Sequence, residues 1–301
     1  MSQTVRRVGR RVIGAAWDLL PFKRPFLEPL RRLGFLPQSV YQHLHFTGVF
    51  STEVGGTKIN LRAHGNVIEN DIFWSGLFDG WEAESLKLWA TLAEQSEVIL
   101  DIGANSGVYA MVAQAVNTSA TVVAFEPVER VYLQLLENAG LNGSKVRCVE
   151  AAVSDVSGSV TLFEPDVEHP YAATLDPTVF GIHTGKDWVP VQVDGIRLDD
   201  FLQDAQLSPD LIKIDTEGHE PEVLRGLGSI LATNRPALLL EVLTDRHARE
   251  IEGLVRGLGY LSYEVDEEAG AMPLTKGTHP SGGRNVLLCS EKVAEGLGLT
   301  T

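Results

Sequence analysis

The chain is 301 residues long, 44% apolar and strongly acidic, with a formal net charge of −15. Apolar material on that scale can bury a large core, whereas the negative charge and an aromatic content of 7% argue against a nucleic-acid substrate, which needs a basic face. Cys148 and Cys289 each sit alone in a strand-like apolar run, which argues against a disulfide framework and for a reduced, cytoplasmic protein.

The charge is unevenly distributed. Residues 1–34 hold eight basic and two acidic residues, a net +6 that leaves −21 for the remainder. At helical pitch Val5, Val8, Val12, Ala16 and Leu19 share one face, with Arg6, Arg7, Arg10 and Arg11 opposite, which predicts a basic amphipathic helix. Docking on the protein's own body, peripheral contact with the inner face of an anionic membrane, and disorder are the three readings of it. Val12–Trp17 is too short for a secretory core of roughly 7–15 residues, and no apolar run reaches the ~18 residues of a spanning helix. Pro21, Pro25, Pro29 and Pro37 break the rest of this extension, residues 1–48, into short helices and turns.

Residues 49–295 read as one domain. Gly55-Gly56 between alternating runs at 49–54 and 57–62 predicts a β-hairpin capping one edge of the core. Leu86, Trp89, Ala90 and Ala93 mark a helix within 81–94. Strands at 98–102, 122–126, 146–150, 211–215 and 237–242 then alternate with helices over 108–116, 128–139, 220–232 and 246–258. That alternation predicts a Rossmann-like, doubly wound α/β fold with a mostly parallel sheet. A closing hairpin from 260–265 and 285–290 would add an antiparallel last strand and bring the sheet to about seven. Between strand-like 160–163 and 189–193 lies an inserted loop, 164–188, containing His169, Tyr171, His183 and Trp188. Loops of that length in compact domains are usually functional lids or disordered.

The first core strand carries the strongest local signal. Val98 to Gly107 runs from an apolar strand through an acid into a Gly-spaced turn and a helix, the arrangement that places backbone N–H groups and a helix N-terminus against adenosine-containing cofactors. A dinucleotide fingerprint begun at Gly103 requires Gly at two positions where Asn105 and Val108 stand. The spacing is instead Asp101-x-Gly103-x-Asn105-x-Gly107, as in class I methyltransferases that bind S-adenosylmethionine. Asp101 suits the ammonium and sulfonium charges of that ligand.

Ligands of open α/β sheets lie at the carboxyl ends of the strands, and four of the five predicted parallel strands close on an acid: Asp101, Glu126, Asp215 and Glu241. Glu126 follows Gly103 by 23 residues, the separation at which an acid accepts hydrogen bonds from a ribose diol. The small residues after the third strand, Ala152 to Ser154 among them, would pass beside the adenine. The densest ionisable cluster is Lys213–Glu220. A hydroxyl acceptor must lose its proton during or before attack, and Asp215, Glu217 and His219 compete for that base, with Glu241 on the neighbouring strand end. A solvent-facing position at the start of the following helix is the plainer alternative for His219, and a place beside the helix N-cap is the plainer one for Glu217. Asp215, Glu217 and Glu241 could together hold a divalent cation, although no metal-specific spacing is present.

These residues resemble the FkbM-type methyltransferase family at several separated points: Gly80-Trp81-Glu82, the run from Val98 to Gly107, Phe125-Glu126-Pro127, Ala152 to Asp155, Leu198-Asp199-Asp200, Ile212 to Glu220, and Pro236 with Glu241. The resemblance covers roughly residues 80–245. It implies an S-adenosylmethionine-dependent O-methyltransferase acting on a hydroxyl of a sugar, glycolipid or natural product. It also implies that Asp101, Gly103, Asn105, Gly107 and Glu126 fall at cofactor positions, with Asp215 and Glu217 beside the acceptor. Two alternatives stay open, an N-methyltransferase on a small molecule and a non-catalytic cofactor-binding module. The first lacks an Asn/Asp-Pro-Pro-aromatic segment after the fourth strand, where Asp215-Thr216-Glu217-Gly218 stands. Residues 1–48 and 164–188 lie outside the resemblance, and so does the identity of the small-molecule or glycan acceptor.

Overall fold

A computed structural model of the chain describes residues 24–33, 36–165, 173–179, 187–270, 274–275 and 285–299. The basic helix predicted over 5–19 lies outside them. The described part of the extension begins with α1 (Arg24–Leu33), whose Leu27 is fully buried and whose Arg31 guanidinium stands 4.9 Å from the centroid of Phe73, so this piece docks on the body. A short α2 (Gln38–Tyr41) leads into β1 (Thr47–Val54) and β2 (Thr57–His64), then α3 (Val67–Ser75) and α4 (Ala83–Ala93).

The alternating core follows as β3 (Val98–Ile102), α5 (Val108–Val116), β4 (Thr121–Phe125), α6 (Glu129–Leu141) and β5 (Arg147–Val149). Three further strands, β6 (Ala152–Ser154), β7 (Gly158–Pro165) and β8 (Trp188–Arg197), precede α7 (Leu198–Ala205) and β9 (Leu211–Ile214). The chain continues through α8 (Glu220–Gly226), α9 (Ile230–Thr233), β10 (Ala237–Glu241), α10 (Asp245–Val255), β11 (Leu261–Glu264), β12 (Leu274–Thr275), β13 (Asn285–Cys289) and α11 (Glu291–Gly296).

The main sheet has the order β12-β11-β13-β10-β9-β3-β4-β5. Strands β5, β4, β3, β9 and β10 are parallel, and β13 runs antiparallel between β10 and β11. The seven predicted strands are therefore present, with the two-residue β12 added at the edge. Helices cover both faces, so central strands are buried throughout: every residue of β9 is inside, and so are Ala237 to Leu240 of β10.

The β1–β2 hairpin pairs from Thr47 opposite His64 to Val54 opposite Thr57 as its own two-stranded sheet, with Phe50, Val54, Ile59 and Leu61 buried in the core. It packs on α5 and α6, where Asn60 and Asn142 exchange two 2.8 Å hydrogen bonds and the Arg62 N–H donates to Asn138 Oδ1 at 2.8 Å. The helix predicted over 220–232 divides into α8 and α9 because Gly228, at φ +54°, turns the chain between them. The strand-like runs around the inserted loop pair with each other and with β6 in a separate three-stranded sheet. Within that loop, residues 173–179 are tied down: Phe163 and Thr174 exchange backbone hydrogen bonds of 2.8 and 3.0 Å, Thr174 Oγ1 donates to the Glu217 carbonyl at 2.6 Å, and Asp176 meets His247 Nε2 at 3.0 Å. His169, Tyr171 and His183 lie outside the described residues, and Trp188 opens β8.

Candidate active site

The chain moves outward from β3 to β4 and β5, then returns to the other side of β3 as β9 and β10. Such a switch point leaves a crevice at the carboxyl ends of the strands. A cavity of about 850 Å³ lies there, lined from one side by residues 101–106, 126–128, 130–131 and 151–153 and from the other by Trp81, Glu82, 215–217, Glu241 and the turn at 266–268.

On the β3–β4 side the backbone does most of the shaping. The N–H groups of Gly103 and Ala104 both donate to the Phe125 carbonyl, at 3.0 and 2.9 Å, folding the turn back over the end of β4. Gly103 has φ +76°, and a Cβ there would lie 1.8 Å from the Asp215 carbonyl oxygen, so only glycine lets the end of β9 lie against the turn. Asn105 adopts a left-handed conformation at φ +50°, and its N–H donates to Glu126 Oε2 at 3.0 Å. The other oxygen of Glu126 accepts from the Val128 N–H at 3.0 Å. Burial pushes the Glu126 carboxyl up to about 7 despite these two donors. Asp101 is 1% exposed; its Oδ2 accepts from the Ala110 N–H at 2.9 Å, while Oδ1 is buried with no hydrogen-bond partner. Burial raises this carboxyl to about 6, the nearby Lys213 cation opposing the shift.

On the β9–β10 side the shaping is by side-chain charge. Lys213 points from β9 into the cavity wall at 3% exposure, its Nζ 2.6 Å from Asp215 Oδ2 and 4.4 Å from the centroid of Tyr109. Burial opposes the charge on Lys213, but Asp215, Glu82 and Asp101 outweigh it and raise the ammonium above its ordinary value. Tyr109 donates its hydroxyl to Glu82 Oε2 at 2.6 Å, which closes a chain Glu82, Tyr109, Lys213, Asp215 along the wall. Glu241 is raised well above its ordinary value by burial and then by Asp215, Glu217, Glu220 and Glu82. Glu220 is buried behind the wall, where its Oε1 accepts from the N–H groups of Thr216 and Gly218 at 2.9 and 3.1 Å and holds the 215–218 turn.

Of the residues singled out in the sequence, Asp101, Gly103, Asn105, Glu126, Ala152, Asp215, Glu217 and Glu241 all line this one cavity. Gly107, Ser154 and His219 do not. Gly107 caps α5 at φ +89° with Leu135 packed where its Cβ would be, so it serves the turn and not the ligand surface. Ser154 and His219 are buried against each other, with Oγ and Nε2 2.9 Å apart, joining β6 to the start of α8. Burial lowers the His219 pKa, which suits a neutral bridging imidazole rather than a base facing substrate. Among the described residues, no group of three or more His, Cys, Asp or Glu is placed to hold a metal ion.

Lys213, Tyr109, Glu82 and Trp81 also line the cavity, beyond the site residues that the sequence singles out. A lysine between Ile212 and Ile214 in a buried strand was the available signal, because a fully buried lysine needs a partner.

Comparison with known proteins bears on this arrangement. A family model for the methyltransferase FkbM domain matches residues 101–262, more than half of the chain. The hexuronic acid methyltransferase AglP of Haloferax volcanii is 30% identical over 151 residues, 50% of this chain and 58% of AglP. The 2-O-methyltransferase NoeI of Sinorhizobium fredii is 33% identical over 155 residues, 48% of this chain and 63% of NoeI. The chain thus spans less than two thirds of the length of either relative. Among solved structures, a SAM-dependent methyltransferase from Agrobacterium tumefaciens aligns over 81% of this chain and 71% of that one, at 13% identity and a TM-score of 0.44.

Proposed function

The chain belongs to the FkbM methyltransferase family, and on that premise we propose that it is an S-adenosylmethionine-dependent O-methyltransferase whose acceptor is a sugar hydroxyl. One observation carries the reading: the buried, unpartnered Oδ1 of Asp101 and the Asp215–Lys213 pair face the same switch-point cavity from adjacent strands. Asp101, Glu126 and the backbone of 103–106 are the residues that would hold the cofactor. Their chemistry fits it, with an acid short of a donor for an ammonium and a second acid, fixed by two backbone N–H groups, for a ribose diol.

When bound, S-adenosylmethionine supplies an electrophilic methyl group, and its transfer by in-line displacement is chiefly a matter of positioning. Asp215, at the end of β9, accepts the proton of the acceptor hydroxyl as that oxygen attacks. Lys213 orients the carboxylate through its 2.6 Å contact, and Tyr109 packs beneath the ammonium. Trp81, stacked edge-on against Tyr109 with centroids 5.9 Å apart, covers the same wall and helps exclude water. The sugar acceptor is supported by the hexuronic acid named for AglP and the 2-O position named for NoeI.

Titration calorimetry with S-adenosylhomocysteine tests the cofactor half, with saturable one-to-one binding expected. Absence of binding would falsify the reading. Labelled S-adenosylmethionine incubated with glycolipid and polysaccharide extracts tests the acceptor half, where an alkali-stable labelled ether is expected on a sugar carbon.

A further inference from the structure

We propose that the acceptor carries an amine, and that the β9–β11 side of the cavity selects a cationic amino sugar over a uronic acid. The proposal rests on the methyl-transfer reading above. Ten acidic and two basic residues line the cavity among the described residues. Both bases are engaged, Lys213 with Asp215 at 2.6 Å and Arg130 with Glu164 at 3.0 Å. Asp101 and Glu126 belong to the cofactor side, which leaves Glu82 before α4 and seven acids gathered at the ends of β9, β10 and β11.

Not all of these are available to a ligand. Glu267 caps α4, accepting from the Glu84 and Ser85 N–H groups at 2.8 and 3.1 Å, and Asp266 Oδ1 accepts from the Glu268 and Ala269 N–H groups at 3.0 and 2.9 Å. Glu241 is different, because its Oε2 is buried with no hydrogen-bond partner. Its neighbours Asp215, Glu217, Glu220 and Glu82 repel its charge, and Lys213, the cation that the described residues place on this wall, is already paired with Asp215, so Glu241 itself is short of a donor and a counter-charge. An ammonium supplies both at once, whereas a uronate would add one more carboxylate to the crowd. The geometry does not suit a metal: no described group of His, Cys, Asp or Glu converges as metal ligands must. A hexuronic acid, the substrate named for AglP, is therefore disfavoured here.

The test uses the full chain loaded with S-adenosylhomocysteine, which keeps the cofactor's own ammonium in place. Calorimetric titration compares the methyl glycosides of glucosamine, glucose and glucuronic acid at neutral pH, in low and high salt. Glucosamine is expected to bind about ten-fold more tightly than glucuronic acid and more tightly than glucose, with the gap shrinking in high salt. Asp266→Asn with Glu268→Gln, a pair that keeps the turn's hydrogen-bond acceptor at 266, is expected to narrow the gap about three-fold with S-adenosylhomocysteine affinity unchanged. Glucose equal to or better than glucosamine, glucuronic acid equal to glucosamine, or no binding by any of the three overturns the proposal. If S-adenosylhomocysteine itself does not bind, it is the methyl-transfer reading that fails. Cofactor binding without an amine preference sinks the amine proposal alone.

Discussion

On the β3–β4 side of the cavity, Glu126 gives each of its oxygens to a backbone N–H, whereas on the β9–β10 side Glu241 leaves Oε2 buried without a partner. Backbone donors come from a few contiguous residues whose conformation is set by the turn itself, so most of that half is shaped before any ligand arrives, with Asp101 Oδ1 left unpartnered. The opposite half assembles acids from four separate segments that repel one another, and a ligand completes it. Under the proposed function, the contrast separates a cofactor cradle built by main chain from an acceptor wall built by charge.

The largest expected break in that contrast comes from Gly103→Ala, which damages both halves together. Its Cβ would sit 1.8 Å from the Asp215 carbonyl at φ +76°, so stability should fall by about 3 kcal/mol and S-adenosylhomocysteine binding should be lost. Thermal unfolding and calorimetry on the same preparation would show both losses. Asp215→Asn should separate the halves instead, with kcat lower by about 10² to 10⁴ and cofactor affinity within a few-fold of wild type. Equal losses in kcat and affinity would merge the two halves again.

Glu126→Gln should act on the cofactor side alone, weakening S-adenosylhomocysteine by about ten- to a hundred-fold. Because the Glu126 carboxyl is raised to about 7 and the ionised form is the better acceptor for a diol, wild-type affinity should climb as pH rises through that value. The variant should show no such climb across the same range. The smallest effect on activity belongs to His219→Ala, for which turnover should stay within about two-fold. Stability should drop by about 1–3 kcal/mol as Ser154 Oγ loses its buried partner. A large fall in kcat with the fold intact would return His219 to the acceptor site.

The same contrast explains what could be read before the structure. Asp101, Gly103 and Asn105 lie within five residues of one another, and the strand, turn and helix that they join are local, so their convergence was legible. Gly107 shares that segment yet packs against Leu135, a contact with α6 that no local pattern announces. His219 sits beside Asp215 and Glu217 in sequence, but α8 begins there and its ring drops into the β6 interface. The bond from Tyr109 to Glu82 spans 27 residues and two helices, and it depends on Lys213 from a third element. The β6–β8–β7 sheet is not legible in the sequence for a related reason: β6 has three residues and its partner β8 begins more than thirty positions later.

Asn138, fully buried on α6, accepts from the Arg62 N–H of the hairpin and donates to the Ser106 carbonyl at 2.8 Å. One amide side chain thus splints the amino-terminal hairpin to the loop proposed to hold the cofactor. Thermodynamic linkage makes the splint reciprocal, since the coupling free energy between residue 106 and β2 is the same whichever end is steadied. Amide exchange at Arg62, remote from any chemistry, therefore becomes a gauge of cofactor occupancy.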